Sequence, residues 1–269
     1  MNLFLLYQSA MRGLNVSGGL RSGVFGRKIF HHDVVDSTNS RALDLIRKGA
    51  EEGTVIIAEE QIAGRGRQGR TWYSEKGKNL LFSVIIRSIS SEEMNGLLSL
   101  TSALSVASAV RNLYAISVEC KWPNDLNING KKFCGILLES VRESNQFLGI
   151  SVGVGINVNQ MKFPPEIATK AVSLSMSVGK NLDRHEILEE VLMEMERNFS
   201  RLKKGFGKDI LKEWKVLSPH IGHNISLKMG KDILIGIMED IAEDGALVMR
   251  QGNKKIKLYS GDISYVDCI

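Results

Sequence analysis

Hydrophobic and polar positions alternate in KIFHHDVV, residues 28 to 35, so the stretch reads as a half-buried strand. Asp36 or Ser37 then stands where a helix needs an N-cap. Ala42, Leu45 and Ile46 fall on one helical face before Gly49 ends the segment. TVIIAEE (54 to 60) and NLLFSVII (79 to 86) are apolar runs of strand length, which predicts two core strands joined by a long polar loop. From Ser91 to Tyr114 the period is helical, with Leu100, Leu104, Ala107 and Val110 as the buried stripe despite Gly96. VECK (118 to 121) predicts a short strand. LNINGKKFCGILLESV predicts a hairpin turning at Asn129 and Gly130, the pair favoured in a two-residue type I′ turn, and FLGISVGVGINVN (147 to 159) completes the sheet.

Beyond Pro164 and Pro165 two helices are predicted, over roughly 183 to 204 and 207 to 217. They cover one face of the sheet and show Glu189, Glu190, Glu194, Glu196 and Arg197 on their surfaces. After Pro219 the texture changes to short strands broken at Gly230, Asp244-Gly245 and Gly252-Asn253, the pattern of a small SH3-like β-barrel of about fifty residues. The expected division is a loose tail over 1–27, a catalytic domain over 28–218 and the small barrel over 219–269.

Composition narrows the class without choosing a function. Hydrophobic residues at 43% and charged residues at 24% of 269 are those of an ordinary globular protein. The net charge of +5 suits an anionic ligand and is small for a nucleic-acid binder. Cys120, Cys134 and Cys268 show no metal-ligand spacing, and the N-terminal apolar patch lacks the basic leader and length of a signal core. A cytoplasmic protein is expected, with no membrane span.

The loop between the second and third strands carries the first chemical signal. GRGRQGR, Gly64 to Arg70, places three arginines on a glycine-rich backbone that a core cannot use. It is a solvated turn, a stub of Arg-Gly nucleic-acid-binding sequence, or an anion cradle. Two further unusual stretches, DSTN (36 to 39) and KWPND (121 to 125), also fall at strand ends.

In this set the chain resembles the biotin protein ligases. The resemblance rests on Ser37-Thr38-Asn39, Gln61, Gly64 to Trp72, Lys121 to Asp125 and Gly155-Ile156-Asn157, in that order, and extends over roughly 28 to 269. It implies a mixed α+β sheet like that of class II aminoacyl-tRNA synthetases, followed by the small C-terminal barrel. It also implies a two-step reaction: biotin and MgATP give biotinyl-5′-adenylate and pyrophosphate, then a lysine of a biotin carboxyl carrier protein domain takes the acyl group and AMP leaves. By position Ser37, Thr38, Asn39 and Gln61 line the biotin pocket together with Arg65, Gly66, Arg67 and Lys121. Arg65, Arg67, Trp72, Asn124 and Asn157 serve the nucleotide, and Lys121 and Arg67 are the catalytic pair. No residue is assigned as a metal ligand, and Mg²⁺ is expected to arrive with ATP.

Residue chemistry agrees with those assignments. A carboxylate must approach an anionic α-phosphate, so cations at the meeting point lower the Coulomb barrier. Arg65 and Arg67, two apart, are placed to aim at one ligand, while Gly64 and Gly66 let backbone amides come close. Lys121 is read as a protonated electrostatic catalyst held by the stiff Pro123 turn. Asp125 is a candidate base for the acceptor lysine. Trp72 and Trp122 either wall the ligands or fill the core.

Lipoate ligases are the nearest enzymatic alternative, and a nucleic-acid-binding module using the arginine loop is the alternative of another class. Fewer than thirty residues precede the first strand, so a repressor's DNA-binding domain and specific DNA affinity are not expected; a homodimer is compatible with the sequence. His31 and His32 point to opposite faces of their strand, and Cys134 reads as core filler. HEILEE at 185 lacks the second histidine of a zinc motif, and GVG at 153 lacks the third glycine of a dinucleotide fingerprint.

Overall fold

The computed structural model describes residues 23–89, 95–144 and 146–266. The expected tail therefore lies mostly outside the described residues, as do Cys268 and the predicted helix start at Ser91. Strands β1 (Ile29–Val35), β2 (Val55–Gln61), β3 (Leu80–Ile86), β4 (Glu119–Lys121), β5 (Asp125–Ile128), β6 (Lys131–Glu143) and β7 (Gln146–Ile156) form one sheet in the order β1-β2-β3-β7-β6-β5-β4. Only β1 and β2 run parallel, joined by helix α1 (Thr38–Arg47). The β5–β6 hairpin turns at Asn129 and Gly130, both at positive φ (50° and 72°), as the Asn-Gly pair requires.

The two faces of this sheet differ. Phe82, Val84, Ile136, Val152, Val154 and Ile156 are buried together with helix α2 (Asn95–Tyr114) in the main core. α2 is buried around most of its girth rather than along one stripe: Thr101, Ser102 and Ser105 are also fully enclosed, and each returns its hydroxyl to the carbonyl four residues back. Short helix α3 (Leu174–Val178) follows the sheet; helix α4 (Arg184–Lys203) packs along α2, and α5 (Gly207–Val216) joins them. Glu194, expected on the surface, is instead buried, and burial pushes its carboxyl upward although Arg197 binds it at 2.6 Å. The opposite sheet face packs Ile56 and Ile85 beneath Ala42 and Ile46 of α1.

Rows of residues across that second face explain where a cavity can open. The register aligns Leu81, Gly155 and Gly135 in one row, Ser83, Gly153 and Leu137 in the next, and Ile85, Ser151 and Glu139 in a third. Two rows are thus paved with glycine. A bulge in the β5–β6 pairing skips Phe133 and turns Lys132 toward this face, with its Cε and Nζ only 3.1 Å from where a Cβ on Gly135 would sit.

Strands β8 (Asn224–Met229), β9 (Asp232–Ile241), β10 (Leu247–Gln251), β11 (Lys254–Leu258) and β12 (Asp262–Tyr265) form a separate antiparallel sheet, ordered β11-β10-β9-β8-β12. It curls around Ile225, Leu227, Met238, Leu247, Met249 and Ile263, the small barrel that the sequence predicts. Gly96 explains its own presence in a helix: a Cβ there would lie 2.6 Å from the Asp244 carbonyl, so α2 meets the β9–β10 turn through bare backbone.

Candidate functional site

The cavity over the glycine-paved face has a volume of about 390 Å³ and lies between α1, the arginine loop, the β4–β5 turn and β12. Ser37, Thr38, Asn39, Gln61, Arg65, Gly66, Arg67, Trp72, Lys121, Asn124 and Asn157 all line it, so residues dispersed over 120 positions of sequence are brought to one hollow.

One side is a neutral hydrogen-bonded network. Ser37 takes the N-cap conformation of α1 but its side chain makes no capping bond; the amide of Thr38 instead donates to Gln61 Oε1 at 2.7 Å, as does its hydroxyl at 3.1 Å. Asn39 Oδ1 lies 2.7 Å from the hydroxyls of both Ser83 and Ser151, and its Nδ2 donates to the Leu137 carbonyl at 3.1 Å and to Glu139 at 2.7 Å. All four hydrogen-bonding positions of that side-chain amide are engaged. Asn39 shapes the floor; Ser37, Thr38 and Gln61 line the cavity beside it.

The other side is positive. Lys121 ends β4 with its ammonium largely enclosed, and burial lowers its pKa, with Asp125 and Asp262 opposing and Lys132 and Arg70 adding to the fall. Burial also lowers Arg67, whose Nη1 donates to Asn124 Oδ1 at 3.3 Å. Lys132, which sequence reasoning missed, sits 2.7 Å from Asp125 and 5.4 Å from the centroid of the Trp72 ring. Asp125 is therefore held as the partner of Lys132. Unlike charges this close keep their ammonium heads in the cavity while leaving net positive charge there.

The WPND residues that follow Lys121 are tied to their surroundings by hydrogen bonds. Trp122 is 2% exposed and donates from Nε1 to the Gly245 carbonyl at 3.0 Å; it is an anchor to the C-terminal sheet and not a ligand wall. Ser99 donates to the Pro123 carbonyl at 3.1 Å, and Asn124 Nδ2 to the Ile136 carbonyl at 2.6 Å. Trp72, by contrast, lies flat on the cavity floor: a Cβ on Gly155 would come within 2.7 Å of its Cε2. Its Nε1 and the Oδ1 of Asn157 are buried without a partner among the described residues. Asn157 Nδ2 is tied to the Val172 carbonyl at 3.2 Å.

The arginine loop is a tight hairpin in itself. Gly66 N–H donates to the Arg70 carbonyl at 2.7 Å and Trp72 N–H to that of Gly64 at 2.9 Å. Gly64 is required, since a Cβ would lie 2.9 Å from the Trp72 carbonyl; at Gly66 the nearest atom would be 3.5 Å away, an ordinary contact. In this conformation the Gly66 amide is not turned to a ligand. Arg65 and Arg67 do not converge: Arg65 reaches Ser40 at 2.8 Å and Glu139 at 3.0 Å, while Arg67 reaches Asn124. Arg70 pairs with Asp262 of β12, which brings the C-terminal sheet to the cavity rim. Phe163 and Ile167, also unread in the sequence, add apolar surface beside Asn157.

His31 and His32 behave as structural residues: His31 Nε2 lies 2.9 Å from Glu59, which Arg184 also binds at 2.8 Å, and burial lowers His32. Cys120 and Cys134 are free and buried, which raises both thiols. Among the described residues no helix is long and apolar enough to cross a membrane.

Comparison with known proteins bears on this geometry. Residues 32–157 match the biotin/lipoate A/B protein ligase family and residues 220–266 the biotin protein ligase C terminal domain. The chain is 34% identical over 248 residues to the bifunctional ligase/repressor BirA of Bacillus subtilis, covering 91% of this chain and 76% of that one. It is 31% identical over 244 residues to the biotin--[acetyl-CoA-carboxylase] ligase of Mycobacterium tuberculosis, covering 87% and 88%. The biotin protein ligase of Aquifex aeolicus, solved in complex with biotin and ATP, superposes with a TM-score of 0.75 at 30% identity over 88% of this chain and 98% of that one.

Proposed function

We propose that the chain, which belongs to the biotin protein ligase family, condenses biotin with ATP in this cavity and passes the biotinyl group to a lysine of a biotin carboxyl carrier protein domain. The observation that carries the reading is the pairing, in one hollow, of a neutral network suited to a ureido ring with a half-buried cluster of Arg67, Lys121 and Lys132 suited to phosphate and carboxylate.

In the first step a biotin carboxylate oxygen forms a bond to the α-phosphorus of ATP, the bond from that phosphorus to the bridging oxygen breaks, and pyrophosphate leaves. Lys121, Lys132 and Arg67 offset the repulsion between the two anions and the charge that builds on the transferring group. In the second step the acceptor amine forms a bond to the acyl carbon, the acyl–oxygen bond breaks, AMP leaves and the amine proton is released. The same cations stabilise the departing phosphate. Trp72, Phe163 and Ile167 supply the apolar surface for the base of the nucleotide.

Magnesium fits as a companion of ATP. No group of three or more His, Cys, Asp or Glu residues suited to holding a metal occurs among the described residues, whereas Mg²⁺ commonly binds through one or two protein oxygens plus substrate phosphates. The Oδ1 of Asn157, which lines the cavity without a hydrogen-bond partner among the described residues, is one oxygen that would serve there. When bound, the ion supplies neutralisation of phosphate charge.

The experiment is ATP–pyrophosphate exchange in the presence of biotin or lipoate, with mass spectrometry of the bound product. Biotin-dependent exchange and a retained biotinyl-adenylate are expected. Exchange stimulated by lipoate but not by biotin would overturn the reading.

A further inference from the structure

Glu139 is a charged residue on the glycine-paved face of the sheet, in the row it shares with Ser151 and Ile85. Its carboxylate joins two parts of the site that are far apart in the chain. Oε2 accepts from Asn39 Nδ2 at 2.7 Å and from Arg65 Nη2 at 3.0 Å, and the same Arg65 nitrogen lies 3.2 Å from Oε1. Arg65 is held from the other side by Ser40 of α1 at 2.8 Å. The floor amide and the arginine loop therefore share one acceptor.

From this geometry we infer that Glu139 is a positioning residue for biotin, tying Arg65 and the start of the arginine loop to the pocket floor. It acts through other residues and touches no reacting atom. Asn39 has every polar position engaged, so a floor amide deprived of Glu139 keeps a donor with no acceptor in an enclosed place, and its carboxamide must turn. Arg65 likewise loses its only anionic partner in the structure's described residues and keeps Ser40 alone. The loop is then fixed at its Gly64–Trp72 and Gly66–Arg70 bonds but is untethered from the sheet at its first arginine.

The energetic scale is moderate. Arg65 and Glu139 are 39% and 29% exposed, so the ion pair is partly screened, while the bond to Asn39 is enclosed. One charged hydrogen bond with a buried partner corresponds to a loss of roughly ten-fold in binding. The loss should appear in biotin affinity and hardly at all in the chemical step, because the cations that surround the phosphate are held by Asp125 and Asn124 instead.

The proposal rests on the cavity being the biotin site, and the experiment separates the two. Wild-type enzyme is first tested for biotin binding by calorimetry; if it binds none, the assignment of the cavity fails and not the role of Glu139. Glu139→Ala is then expected to raise the KM for biotin about ten-fold with kcat within about two-fold of wild type, and Glu139→Gln, which keeps an acceptor for Asn39, to recover part of the loss. In an Arg65→Ala background the same Glu139→Ala change should cost clearly less, since part of its effect travels through Arg65. Circular dichroism and thermal melts establish that each variant is folded, and Glu139→Gln carries the test if Glu139→Ala is not. A KM unchanged in the folded variants, a fall confined to kcat, or effects that simply add in the double variant would overturn the proposal.

Discussion

Gly153 lies directly beneath Asn39: a Cβ built on the glycine would sit 2.4 Å from Oδ1, 2.8 Å from Cγ and 2.9 Å from Nδ2 of that side chain. The amide cannot swing aside cheaply, because it is bonded to Ser83, Ser151, Leu137 and Glu139 at once. A single methyl group therefore tests whether the floor network matters for the ligand. Gly153→Ala is expected to cost about 1 to 3 kcal/mol of stability from overpacking and to weaken biotin binding by at least about ten-fold as Asn39 is displaced. Urea unfolding and calorimetric titration with biotin read the two effects. A variant that binds biotin as well as wild type would show that the floor tolerates rearrangement.

Lys121 gives a prediction in pH. Burial lowers its pKa below the ordinary lysine value of 10.5, with Asp125 and Asp262 holding it up against that fall. A charge-dependent step is fully active below the lowered pKa and lost as pH rises through it, so the alkaline limb of the biotin-dependent exchange rate should fall below that of an ordinary lysine. Asp262→Asn removes one supporting negative charge and should move the limb to still lower pH, while Lys121→Arg should move it up. Lys121→Gln should lower exchange about a hundred- to a thousand-fold with only a modest loss of biotin binding. An alkaline limb that does not respond to either Asp262→Asn or Lys121→Arg would assign it to another group.

How much of this site was legible in the chain depended on whether the relevant neighbours were local. The arginine loop, DSTN and KWPND each announce themselves by unusual composition, and the structure does bring them together. Lys132 was hidden because strand alternation places it on the same face as Cys134 and Ile136, and the bulge opposite Asn127 is what turns it over. Glu139 shares a face with Gly135 and Leu137, so a carboxylate between apolar and glycine positions was a readable anomaly; its partners Asn39 and Arg65 were not, being 100 and 74 residues away. Trp122 was ambiguous for the opposite reason. An aromatic at a strand end fits a core or a ligand wall equally well, and only the Gly245 carbonyl decides it.

The buried cluster of Glu59, His31 and Arg184 yields a stability prediction away from the chemistry. Burial raises the carboxyl of Glu59, but hydrogen bonds from His31 and Arg184 outweigh it and leave the pKa below the usual 4.5. A depressed carboxylate stabilises the fold above the unfolded value and loses that contribution as pH falls through the lowered folded value. Arg184→Ala leaves Glu59 without its guanidinium and should cost about 3 to 5 kcal/mol near neutral pH. The gap from wild type should narrow in acid, below pH 4.5, as Glu59 takes a proton. Denaturant midpoints from pH 7 down to pH 3 measure this; a gap independent of pH would mean that Arg184 acts through packing or through its bond to the Asn79 carbonyl.

Arg67 bears on how the activated intermediate is kept. An acyl-adenylate is a mixed anhydride that water or any exposed amine attacks, so a ligase must shield it until its acceptor arrives. Arg67 is the loop arginine drawn inward: burial lowers its pKa, and its guanidinium meets Asn124 rather than solvent, whereas Arg65 and Arg70 are tied to Glu139 and Asp262 at the rim. A charged hydrogen bond of roughly 1.5 to 3 kcal/mol corresponds to about ten- to a hundred-fold in retention. Arg67→Gly should therefore still consume ATP and biotin but release biotinyl-adenylate to solvent, where it acylates surface lysines of unrelated proteins. Adenylate off-rates by stopped flow, together with a streptavidin blot of the variant mixed with a lysine-rich bystander, measure both halves of the expectation. A variant that forms adenylate and releases it no faster than wild type would move the grip from Arg67 to Lys121 and Lys132, whose ammonium groups stay in place when the loop arginine is gone.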